Sequence, residues 1–175
     1  MIAPGSEHET TASATGVRAE EEDAGADMAK HPRLSTDYLN RYAEALMLID
    51  LAADDPDIVR DLKAWRSLSY REHFETSPLR IAPSALEAYD RLAPERKAAF
   101  EDLCRAMTRL VTTATALLAD RTDRLDAITI VEVAGDALRR QIARATEFIN
   151  ANGTVDIVAT EMRELQAEVD ALLRR

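Results

Sequence analysis

The run DLKAWRSLSYREHF, residues 61–74, gathers side chains able to do chemistry. It holds the only tryptophan, Trp65, and close behind it Tyr70, Arg71, His73 and Phe74. At helical spacing Tyr70 and Phe74 share a face and His73 lies beside Tyr70. Trp65 and Tyr70 then suit the walls of a ligand pocket, with Arg71 and His73 as its polar anchors. The same residues also suit a corner where two short helices dock, because short helices need bulky buried anchors. Packing is the simpler account; Trp65, Tyr70, Arg71, His73 and Phe74 remain the candidate pocket.

Other chemistry has little to work with. His8 and His31 lie in a polar N-terminal stretch, which leaves His73 as the one histidine for acid–base work. Its nearest carboxylates along the chain are Glu72 and Glu75; Glu72 points away on a helix and is poorly placed to orient it, so a satisfied or exposed histidine is expected. Zinc motifs are absent, and residues 70–73 read Tyr-Arg-Glu-His rather than the Glu-x-x-His repeats of di-iron proteins. DDPD at 54–57 lacks the alternating ligands of a calcium loop and reads as helix capping. Cys104 falls in register with Val111 and Leu118, where a buried, inert thiol is expected. There is no glycine-rich phosphate loop and no nucleophile elbow. Arg139, Arg140 and Arg144 form a basic strip diluted by Asp136 and Glu147, which reads as a solvated face. No catalytic residue, metal site or cofactor is expected.

Charge narrows the partners. Of 175 residues, 32 are acidic and 22 basic, for a net charge of −10. The excess is spread along the chain, so nothing resembles a footprint for nucleic acid or for an anionic membrane surface. The start, MIAPGSEHET, lacks a basic and apolar leader, and runs such as ALMLI are too short to span a bilayer. A cytoplasmic protein is expected, with Met1 and Met28 as alternative starts. With a single cysteine, no internal disulfide can form.

The elements that must position these residues read as helices. Residues 1–33 are polar, carry the acidic run EEED, and are expected to be a disordered tail. From Ser35, a stripe of Tyr38, Tyr42, Ala45 and Ile49, widened by Leu39 and Leu46, marks a well-covered helix. Asp55 and Pro56 open a second helix bearing Ile58, Leu62 and Trp65. Ser69–Glu72 and Ser84–Glu87 are capping-box patterns for two short helices. A fifth helix carries Phe100, Leu103, Met107, Leu110, Ala114 and Leu117. A sixth carries Ile128, Val131, Gly135, Leu138, Ile142, Ala145 and Ile149, and Gly153 in NANG closes it in the left-handed region. Thr154 caps a seventh with Val155, Val158, Met162, Leu165, Val169 and Leu172.

Gly135 on the sixth seam implies close approach of a neighbouring backbone. The alternating three- and four-residue steps predict an all-α helical bundle: shorter N-terminal helices, then three long heptad-patterned ones. Residues 34–175 form one domain on this reading. Two functions follow from it. One is a non-enzymatic interaction or regulatory protein acting through protein–protein contacts, with a protein partner or a second copy. The other is a ligand-binding or catalytic helical domain using the Trp65–Phe74 cluster.

Overall fold

The computed structural model describes residues 31–55, 57–120 and 123–158. Chain contacts divide it into Met1–Pro32 and Arg33–Arg175. Of the first unit only His31 and Pro32 are described, so the fold reported is that of the second. Most of the expected tail, Met28, Pro56, and Met162, Leu165, Val169 and Leu172 of the expected seventh helix lie outside the described residues.

The architecture is all-α. A 3-10 turn, Thr36–Leu39, runs into α1 (Asn40–Leu51). Two short helices follow, α2 (Ile58–Ala64) and α3 (Tyr70–Glu75), then α4 (Ala82–Asp90). Two long helices, α5 (Pro94–Asp120) and α6 (Arg124–Asn150), complete the described part. Among the described residues no helix is long and apolar enough to cross a membrane.

Local chemistry sets the ends. Ser69 Oγ accepts the Glu72 N–H at 3.2 Å while Glu72 Oε2 accepts the Ser69 N–H at 2.8 Å. This reciprocal box starts α3 and holds the Glu72 carboxyl below its usual range. Asp123 caps α6 by accepting the Asp126 N–H at 2.8 Å. The box expected at Ser84 is absent: α4 begins earlier, at Ala82, with Pro83 in its first turn. Proline's fixed φ suits that position. Ser84 is instead buried inside the helix, where its Oγ accepts the Arg33 N–H at 3.2 Å. Asn152 and Gly153 end α6 with φ of 50° and 74°, and the Gly153 N–H donates to Phe148 O at 2.8 Å. A side chain at 153 would be strained in φ and would overlap Leu92.

Burial fixes how the helices face. On α5 the buried stripe runs Phe100, Leu103, Met107, Val111, Ala114, Leu118. Its steps of 3, 4, 4, 3 and 4 match the 3.6-residue period of a straight helix. The expected seam drifts off that stripe: Leu110 is half-buried and Leu117 is 52% exposed. On α6, Ala127, Gly135, Leu138, Ala145 and Ile149 are buried, and Ala127 takes the place expected for Ile128.

The long helices α5 and α6 pack on one another, and α1 packs on both. Asp50 pairs with Arg139 at 2.7 Å and Asp54 pairs with Arg124, so α1 runs antiparallel to α6. The segment before α1 is held by three successive backbone donors. Arg33 N–H goes to Ser84, Leu34 N–H to Asn152 Oδ1 at 2.8 Å, and Ser35 N–H to Tyr70 Oη at 2.8 Å. That clasp joins four separate parts of the chain.

Candidate functional site

All four tyrosines of the chain meet in one place. Tyr38 and Tyr42, four residues apart, project from the 3-10 turn and α1. Tyr70 comes from α3 and Tyr89 from α4. Tyr70 stacks on Tyr89 with centroids 5.0 Å apart and meets Tyr38 edge-on at 5.3 Å. Phe100 of α5 meets Tyr70 edge-on at 5.6 Å and stacks on Phe148 at 4.9 Å. Each such pair contributes roughly 0.5–1.5 kcal/mol beyond the area it buries.

The hydroxyls are satisfied within this cluster. Tyr38 Oη donates to Leu68 O at 3.0 Å and lies 3.3 Å from Tyr42 Oη. Tyr42 Oη lies 3.0 Å from Thr108 Oγ1, and Tyr89 Oη donates to Glu101 Oε1 at 2.5 Å. Burial pushes all four phenols above their ordinary pKa.

Over this floor lies a cleft of about 500 Å³. One wall is the extended link Ser67–Ser69. The other is α5, from Phe100 and Glu101 through Cys104 and Arg105 to Thr108 and Arg109. The interior is apolar and aromatic, with charge confined to the α5 lip. Clefts of this size and make-up suit small organic ligands.

Cys104 lines the cleft, and burial pushes its thiol up to about 12. At neutral pH it is therefore protonated and a poor nucleophile. Among the described residues no group of three or more His, Cys, Asp or Glu side chains could hold a metal ion.

The structure places the five candidate residues apart. Only Tyr70 lines the cleft. Phe74 is buried behind it, 4.8 Å away. Trp65 packs on Tyr42 at 5.8 Å, donates its indole N–H to Arg41 O at 3.1 Å, and borders a separate groove with Leu62 and Val111. His73 Nε2 lies 2.9 Å from Asp37 Oδ2 and so joins α3 to the 3-10 turn. Arg71 pairs with Asp90 and with Glu75 at 3.5 Å, and lies 5.7 Å from the Tyr89 ring centre. Neither Leu39 nor Leu46 closes the cleft.

Tyr38, Tyr42, Tyr89 and the α5 wall were not among the sequence candidates. Two signals pointed that way: the four-residue spacing of Tyr38 and Tyr42, and the parallel rows Phe100–Cys104–Thr108 and Glu101–Arg105–Arg109. No protein-family model, curated protein or solved structure matches this chain, so the cleft is read from its own geometry.

Proposed function

We propose that the chain is a small-molecule-binding helical protein rather than an enzyme, with the tyrosine-floored cleft as its binding site. One observation carries this: an open cleft of about 500 Å³ whose aromatic floor is already fixed by its own hydrogen bonds. A floor ordered before binding loses little entropy when a ligand arrives, which favours affinity. The raised thiol of Cys104 and the engagement of His73 by Asp37 favour binding over chemistry. Thermal denaturation of the full chain against a set of planar aromatic compounds tests the reading. Saturable increases in Tm support it; no response at millimolar concentration contradicts it.

A second reading is contact with another protein. Arg124–Asp54 brings the end of α1 to the start of α6, where Leu51, Leu117 and Leu125 are exposed, Leu125 by 74%. Apolar side chains gathered at one end suit an interface. Light scattering of the purified chain, and of a Leu117→Ser/Leu125→Ser variant, tests it through a shift in mass. On either reading the chain is taken as a cytoplasmic helical bundle. Thr154 does not cap a helix as expected, since its hydroxyl donates to Ala151 O at 2.7 Å and residues 154–156 are not helical, and Arg33 of the expected tail is held by Ser84.

A further inference from the structure

The α5 wall of the cleft consists of two parallel rows. Phe100, Cys104 and Thr108 form the inner row, and Glu101, Arg105 and Arg109 form the lip. Residues four apart share a helix face, so each row is continuous. The three lip charges are not equivalent. Glu101 Oε1 accepts the Tyr89 hydroxyl at 2.5 Å, and Oε2 lies 3.7 Å from Arg105 Nη1. Arg105 Nη2 donates to Asp102 Oδ1 at 2.7 Å. Acidic groups therefore surround Arg105, while the Glu101 carboxylate is already engaged twice. The Arg109 side chain has no ion pair and no hydrogen bond among the described residues. Among the described residues, the unpaired charge on the lip of this aromatic cleft is the Arg109 guanidinium.

We infer that the cleft takes a planar aromatic carboxylate, with its carboxylate on Arg109 beside Thr108 and its ring between Leu68 and the Phe100–Cys104 row. This rests on the reading of the cleft as a small-molecule site and names the class of ligand. Guanidinium matches a carboxylate with two parallel hydrogen bonds. A planar ring fits a wall of aromatic edges and thiol better than a branched chain does. A cationic ligand would meet Arg109 with no free carboxylate to offset it. The chain's net charge of −10 does not decide the matter, because charges beyond about 8 Å are largely screened at physiological salt.

Calorimetric titration of the full chain with 2-naphthoate and with 2-naphthamide tests the inference. The carboxylate is expected to bind at least tenfold more tightly than the amide. Arg109→Gln, at an exposed position, should raise the naphthoate Kd to that of the amide and leave the amide unchanged. Cys104, the only thiol, reports the location at pH 9 under excess reagent, where the small thiolate fraction reacts measurably: saturating naphthoate should slow its reaction with methyl methanethiosulfonate at least fivefold. Equal affinities, or an Arg109→Gln variant that still prefers the carboxylate, would overturn the ligand class; continued protection of Cys104 would then leave the cleft reading standing. If neither compound protects Cys104, the cleft reading falls and the ligand class falls with it.

Discussion

A methyl group added at Gly135 would lie 3.1 Å from both the Arg139 guanidinium and Asp50 Oδ1. The close approach expected at this seam position is therefore made by the ends of two side chains rather than by a neighbouring backbone. Both side chains are substantially exposed and can move by a few tenths of an ångström, and a solvated ion pair contributes little to stability. Removing glycine from a helix interior gains roughly 0.5–1 kcal/mol. Gly135→Ala is thus expected to be mildly stabilising, a higher urea midpoint at unchanged slope. Gly135→Leu, which must push α1 away, should cost about 1–3 kcal/mol. Destabilisation by alanine would mean that the Asp50–Arg139 contact is tighter than its exposure implies.

Among the elements, the segment Arg33–Ser35 has a larger role than its length suggests. Its three backbone donors reach Ser84, Asn152 and Tyr70, and Leu34 between them is buried. Removing residues 1–30 leaves those contacts intact and should leave Tm nearly unchanged. Removing residues 1–35 takes away the burial of Leu34, worth about 1.5–3 kcal/mol, and hydrogen bonds worth roughly 0.5–1.5 kcal/mol each. Equal Tm values for the two truncations would show that the clasp contributes nothing. The elements themselves were largely legible in the sequence. The Ser69–Glu72 box, the Gly153 stop and the stripe of α1 are encoded within a few residues, where periodicity and capping act. The faces of the long helices were less so, since a heptad template and a straight helix part company within three turns, as Leu110 and Leu117 show. The cleft was not legible. Its floor joins Tyr38 to Leu68, 30 residues away, and Tyr42 to Thr108, 66 residues away, and no local pattern encodes such pairings.

For the whole molecule, the buried tyrosine cluster ties stability to pH and floors the proposed binding cleft. Every tyrosine and the one cysteine has a pKa raised by burial. The native state therefore keeps protons that the unfolded chain releases above the ordinary values, about 8.5 for Cys and 10 for Tyr. Stability from these groups is complete below that range and falls as pH rises through it, because the unfolded chain then binds fewer protons. Tyrosinate absorbance at 295 nm should rise together with loss of helical circular dichroism; a tyrosine titrating near pH 10 while the helices persist would contradict this. Ligands are proposed to bind over those same rings, and tyrosine-selective NMR during titration with 2-naphthoate tests this. Ring signals of Tyr38, Tyr42, Tyr70 and Tyr89 are expected to shift along one binding curve while the methyls of Leu51, Leu117 and Leu125 stay still. Unmoved tyrosines would contradict binding there, and shifts confined to the three leucines would move the binding surface to the far end of α1 and the α5–α6 hairpin.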